Sequence, residues 1–437
     1  MNVIVYRLRK PATIMERTPL KADMSRNFSY VAVPAKSVPT AVRVLFFIFV
    51  FTLPFEEMNL GFLTGSVSIA KIAGFLLFTC YFIYHNGLFS KKSFPSIPPA
   101  MWWFLAFLAI DVINGVLLGP PEYLRDIVGS LFRLAQLLVL LWVGSDLLKD
   151  ENTARSVLLA YAISASLFAI GIVLKVPGFY VEFAEGRESG MGVDPNAVAA
   201  ISAVCIIIIL GLCLHKSYKR IRLVLLSVPL FGALVLSGSR GQVLAFIVGC
   251  LVYLLPYRRS KGVLLAIVLA TLAISTVVFL VAKNSGFMER WEGTYYEGNL
   301  AGREEIFSAA AEMILEKPLL GWQPVNWVDE LGRRVGGEWT WRGRDAHNLF
   351  LALLLEVGVL GATPFFIGLW GCARSAWRAR RGRLGLLPLA LLATLLAGSM
   401  SVTSLYSKVP WLILALTLAA GPAAAMPRNR RSNSLPF

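Results

Sequence analysis

The chain holds three histidines, His85, His215 and His347. Imidazole is the side chain that takes up a proton near neutral pH, so each is a candidate general base. His347 stands apart, in Arg344-Asp345-Ala346-His347-Asn348, where a long polar segment meets an apolar run. That setting suits a base acting on a hydroxyl, and it suits an interfacial histidine with no chemical role equally well. Two arginines offer anion chemistry. Arg187 lies in Glu185-Gly186-Arg187-Glu188-Ser189-Gly190, and Arg240 in Ser237-Gly238-Ser239-Arg240-Gly241. Each is almost the only basic residue of its short loop. A snorkelling or paired surface arginine would look the same; a guanidinium fork on phosphate oxygens is the functional alternative.

Helix ends strengthen the combination. Asp194-Pro195 reads as an N-cap followed by proline at the first helical position. Ser239 is placed to cap the helix beginning at Arg240, and Asp345 the helix after His347. Free N–H groups and the helix dipole make such ends attractive to anions. Three helix ends, two arginines and one histidine would form a site for a phosphorylated ligand if packing brings them together.

The elements that must position these residues are membrane spans. Of 437 residues 57% are hydrophobic and the mean hydropathy is +0.66, above the ~45–50% apolar share of soluble domains. Val263–Val281 and Ile201–Leu214 carry no charge, and such unbroken runs require helices in a bilayer. We expect an all-α integral membrane protein with about twelve transmembrane helices and one large periplasmic loop containing short helices. The spans fall near 41–55, 65–84, 100–118, 127–148, 153–175, 195–214, 220–237, 240–256, 263–282, 346–372, 383–402 and 407–425. This divides the chain into a basic cytoplasmic tail (1–40), nine spans (41–282), the periplasmic loop (283–345), three spans (346–425) and a short cytoplasmic tail (426–437).

The net charge of +16 would point to nucleic acid in a soluble protein. Here the basic residues concentrate in alternate loops: Lys91/Lys92, Lys149/Arg155, Lys216 to Arg222, Arg258 to Lys261, and Arg374 to Arg383. Positive loops stay inside, so both termini are expected in the cytoplasm and His347, Arg187 and Arg240 outside. His85 and His215 then face inward. In the large loop, Gly302–Glu316 has helical spacing with Ile306, Ala310 and Met313 on one stripe, ended by Lys317-Pro318. A helix lying on the membrane surface explains that stripe. Trp291, Trp322, Trp327, Trp339, Trp341, Tyr295 and Tyr296 of the loop read as interfacial aromatics, one or two of them as sugar platforms. Lys71, Asp111 and Arg133 fall within spans two, three and four, where ionisable residues are functional candidates. The five cysteines all lie in or beside apolar runs, with no disulfide or metal-binding spacing.

At these residues the chain resembles the bacterial O-antigen ligase and O-antigen polymerase superfamily, membrane glycosyltransferases with a multi-span helical fold. The resemblance rests on Arg187 through Asp194-Pro195-Asn196, on Ser237-Gly238-Ser239-Arg240-Gly241, and on Gly302-Arg303 with Pro318-Leu319-Leu320-Gly321-Trp322. It continues in His347-Asn348-Leu349-Phe350 and Glu356-Val357-Gly358-Val359-Leu360-Gly361, and an early Leu53-Pro54-Phe55-Glu56 with Lys71 adds to it. It runs from about residue 45 to 420. A small residue or glycine usually follows the Pro-Leu-Leu-Gly; Trp322 departs from this. The resemblance implies transfer of a glycan from undecaprenyl diphosphate to an acceptor hydroxyl, with inversion and without a metal, cofactor or nucleotide sugar. It implies His347 as base and Arg187, Arg240 and Arg303 as ligands of the diphosphate. The expected partners are the lipid-linked donor, a lipid A–core acceptor and membrane lipid, at the bacterial inner membrane. A polymerase extending a glycan, a ligase acting on protein, and a transporter are the alternatives. A transporter predicts intramembrane carboxylate pairs and repeat symmetry, and the sequence offers one mid-span acid, Asp111, and no repeat.

Overall fold

The computed structural model describes residues 38–56, 68–85, 94–183, 186–213, 220–254, 303–337, 340 and 343–425, and the chain from Pro39 onward forms one unit. Eight helices come first: α1 (Thr40–Thr52), α2 (Ile69–His85), α3 (Pro99–Val112), α4 (Leu124–Leu147), α5 (Glu151–Val173), α6 (Pro195–Cys213), α7 (Arg220–Leu236) and α8 (Arg240–Leu254). After the loop segment come α9 (Arg303–Glu316), α10 (Asn326–Val335), α11 (Leu349–Ala379), α12 (Leu387–Gly398) and α13 (Lys408–Ala425). Eleven of the twelve expected spans thus coincide with helices. The ninth, at 263–282, lies outside the described residues, as do the greater part of the N-terminal tail, the C-terminal tail, His215, Trp291, Tyr295, Tyr296, Trp339 and Trp341.

Among the described residues, five helical stretches are long and apolar enough to cross a membrane: Pro99–Leu117, Pro121–Leu147, Glu151–Val173, Pro195–Cys213 and Leu349–Ala379. Six shorter apolar helices accompany them. The protein is a multi-pass helical membrane protein. A helix pairs every backbone group within its own segment, which hydrocarbon requires. α12 packs on α8 and α6, α11 on α3 and α13, α13 on α4, and α5 on α1 and α7. Small residues allow close approach, with Gly144 facing Ala415 and Gly371 facing Ala100.

Three local features depart from the sequence reading. The first is a two-stranded antiparallel hairpin, β1 (Tyr180–Phe183) and β2 (Arg187–Gly190), in a chain expected to be all-α. Gly186 turns it at φ 66°, and the Lys175–Glu188 ion pair (2.9 Å) ties β2 to the end of α5. The second concerns α9. Its stripe of Ile306, Ala309, Ala310 and Met313 is buried, as expected of a helix ending at Glu316. It faces protein rather than the membrane surface, because Trp327 and Leu331 of α10 and Ala352 and Leu355 of α11 cover it.

The third is a break in α11. Gly358 adopts φ 60°, ψ −168°, a conformation essentially confined to glycine. The turn segment Pro318-Leu319-Leu320-Gly321-Trp322 enters the break and replaces the lost helical hydrogen bonds. Val359 N donates to Pro318 O (2.9 Å), Leu360 N to Leu319 O (3.1 Å) and Trp322 N to Leu355 O (2.6 Å). Asn114, on a π-helical turn after α3, donates to Leu320 O (2.7 Å) and Glu356 O (3.0 Å). The two glycine-bearing motifs therefore meet backbone to backbone. A Cβ on Gly321 would lie 2.5 Å from Leu355 O.

Candidate active site

The helix ends do come together. α6 opens at Asp194-Pro195, and the Asp194 carboxylate accepts from Asn196 N (2.7 Å), as an N-cap should. Arg187, held on β2 opposite Phe183, reaches two other elements. Its Nε donates to Ser237 O (2.9 Å) in the turn before α8, and its Nη2 to the Asn196 side chain (2.8 Å) in the first turn of α6. The arginine thus joins the starts of α6 and α8, with Arg240 the first residue of α8.

α8 is joined in turn to the end of α12. Gln242 Nε2 donates to Gly398 O and to Ser401 Oγ, both at 3.0 Å. Arg303, first residue of α9, donates from Nη2 to Ser401 O (3.3 Å). Leu349 N, at the start of α11, donates to Ser399 O (2.8 Å). One turn, 398–401, therefore receives α8, α9 and α11.

His347 stands just before α11 with φ 46°, a left-handed conformation that costs a non-glycine residue free energy. Its Nδ1 lies 3.5 Å from Asp345 Oδ2, at the outer limit of a hydrogen bond. Burial chiefly lowers the His347 pKa below its ordinary value. Asp345 opposes this, Arg344 and Arg303 reinforce it, and Asp194 opposes it. The charged groups felt by His347 come from three stretches far apart in sequence. Held neutral in this way, the imidazole keeps a nitrogen lone pair for a proton.

Two expected caps are not made as predicted. Asn348, not Asp345, caps α11, its side chain accepting from Phe350 N (2.9 Å) and Leu351 N (3.3 Å). Residue 348 directly precedes the helix, whereas Asp345 lies three residues further back and faces His347. The Ser239 hydroxyl is buried without a hydrogen-bond partner among the described residues, while its carbonyl accepts from Val243 N. Asn196 and Asn348 were read from the sequence only within longer motifs, with no role of their own, and Gln242 and the 398–401 turn were not singled out. Asn348 had a readable signal, a capping residue type immediately before an apolar run. Gln242 and Ser401 had none beyond being polar at the ends of apolar runs.

The intramembrane candidates separate from this cluster. Asp111 is buried on α3 near Glu356 of α11, so the mid-span acid expected to stand alone has a second buried carboxylate beside it; Glu356 accepts from Tyr406 OH (2.5 Å) and from Trp327. Lys71 and Arg133 are exposed at the start of α2 and along α4. Trp327 is therefore a packing residue. Trp322 lies under Lys317 Nζ, 3.8 Å from the ring centroid, and donates to Met313 O (2.9 Å), so its bulk is absorbed beside the break in α11.

No curated protein matches the chain. Residues 224–366, a third of the chain, match the family described as O-antigen ligase; the stretch holds Arg240, Arg303, His347 and the break in α11, and the match supports the likeness to the O-antigen ligase and polymerase superfamily.

Proposed function

We propose that the protein is an O-antigen ligase of the bacterial inner membrane. In this reading it transfers a glycan from undecaprenyl diphosphate to a sugar hydroxyl of the lipid A–core, at the periplasmic face. The observation that carries the reading is the junction of Arg187, Arg303 and His347 at the starts of α6, α8, α9 and α11. The lipid tail of such a donor needs a membrane, its diphosphate needs cations and helix ends, and its acceptor needs a base.

His347 takes the proton of the acceptor hydroxyl as that oxygen bonds to the anomeric carbon. The bond from that carbon to the diphosphate oxygen breaks on the opposite face, so configuration inverts. The departing lipid diphosphate carries the electron pair, and Arg187, Arg240 and Arg303 with the helix N-termini stabilise its charge. The leaving group is already a good one, so no enzyme nucleophile is needed. A positioned base contributes typically ~10²–10⁴-fold.

The lipopolysaccharide ladder of a null mutant tests the assignment. Unligated core with accumulated lipid-linked glycan is the expected result. Core bearing a single unit would make the protein a polymerase, and an unchanged ladder would refute both. Plasmid-borne His347→Gln should fail to restore the ladder at normal protein level, since an amide does not take up the proton.

A further inference from the structure

The geometry points to Gln242 as a positioning residue, one that fixes the arginine-bearing end of α8 against the turn that carries Arg303 and the start of the His347 helix. The inference rests on the proposed transferase reading for its catalytic consequence and on geometry alone for its structural one. Gln242 is buried, and its amide nitrogen makes two hydrogen bonds to the 398–401 turn, to Gly398 O and Ser401 Oγ. Ser401 Oγ donates to the same Gly398 carbonyl (3.0 Å), closing a small network. The contact leaves no room for slack. A Cβ on Gly398 would lie 2.5 Å from Gln242 Oε1, and one on Gly241 2.5 Å from Ser401 Oγ.

The same turn then distributes this position. Ser401 O receives Arg303, and Ser399 O receives Leu349 N, two residues after His347. Arg240 lies two residues before Gln242 on the first turn of α8. Gln242 acts through other groups, because its hydrogen bonds go to the turn and set the separation of Arg240, Arg303 and His347. A glutamine is required because the turn presents acceptors, a carbonyl and a hydroxyl oxygen, and the amide supplies two donors from one atom.

The test uses the full-length protein in nanodiscs. Gln242→Met keeps length and packing but donates nothing, and Ser401→Ala removes one acceptor with little change in volume. Amide exchange should accelerate roughly tenfold in 349–352 and 398–401 in Gln242→Met, the size expected for two neutral hydrogen bonds. The KM for an undecaprenyl diphosphate-linked glycan should rise by about the same factor, with kcat changed far less and the pH profile unmoved. A residue of purely structural importance would lower protein yield or melting temperature and leave the KM of the surviving protein unchanged. In the double variant the effects should not add, because the two residues share one network. Wild-type exchange and wild-type KM in Gln242→Met would overturn the inference, as would full additivity with Ser401→Ala. If the wild-type protein transfers no glycan, the proposed function falls, and the exchange result alone decides the role of Gln242.

Discussion

Replacing Asn348 by alanine probes how His347 is held. The side chain accepts from Phe350 N at 2.9 Å and Leu351 N at 3.3 Å, and the residue before it is His347 in the left-handed region. Loss of an N-cap of this type costs typically about 1 kcal/mol and up to about 2. The left-handed conformation of His347 costs on the order of 1–2 kcal/mol, so the cap and the Leu349 N to Ser399 O bond (2.8 Å) work against a strain of their own size. Without the cap, the first turn of α11 frays and His347 relaxes toward ordinary backbone angles. A shift of about 1.4 kcal/mol is tenfold in an equilibrium. We expect kcat for glycan transfer to fall up to about tenfold in Asn348→Ala, measured with purified protein at saturating donor. Asn348→Asp keeps the acceptor and places a negative charge at a helix N-terminus, so it should stay near wild type. Alanine within twofold of wild type, or aspartate as impaired as alanine, would refute the reasoning.

Four further outcomes follow from the same contacts. The acidic limb of the pH–rate profile should lie below the ordinary histidine range, because burial and two arginines lower the His347 pKa; Asp345→Asn removes a charge that favours the imidazolium and should move this limb lower still. Arg187→Ala should cut turnover at least about tenfold, the equivalent of one charge-assisted contact, and Arg187→Lys should recover only part, since one ammonium does not span Ser237 O and Asn196 as the fork does. Gly358→Ala should lower the melting temperature sharply and expose Pro318–Trp322 to protease, because a Cβ there would collide with the Leu319 and Leu320 backbone; a melting curve matching wild type would show that the break in α11 is not built as described. A periplasmic reporter fused at Gly332 should be active and one at Lys261 silent, and the reverse pattern would put His347 on the wrong side of the membrane.

Much of the fold was legible because membrane helices declare themselves locally. Runs such as Ile201–Leu214 carry their own reason to be helical, and α6 follows it to within a residue at Cys213. The α9 helix was equally plain from the spacing of Ile306, Ala310 and Met313. Which surface that stripe faces was not legible, because Leu355 and Trp327, which cover it, lie on other elements. The hairpin at 180–190 was missed because four-residue strands carry too few residues for a periodicity. The break at Gly358 was missed because its explanation lies some forty residues upstream, in a turn segment whose backbone substitutes for helical hydrogen bonds.

The site shows the same division more sharply. Residue type alone singled out His347, Arg187 and Arg240, since proton transfer and phosphate binding are open to few side chains. Their convergence depends on groups with no chemical signature. Asn196 and Ser237 O receive Arg187, Ser401 O receives Arg303, and Ser399 O receives the first N–H of α11. Three of these four acceptors are backbone carbonyls, present at every residue and so invisible as motifs. A carbonyl becomes informative only where a helix stops and leaves it without an intrahelical donor. α12 stops at Gly398, and the carbonyls of residues 398, 399 and 401 are the ones taken by Gln242, Leu349 and Arg303. The end of a helix that carries no charged residue is therefore the place where α8, α9 and α11 are brought into register, and substitutions there should disturb donor binding although the turn itself carries neither a cation nor a histidine.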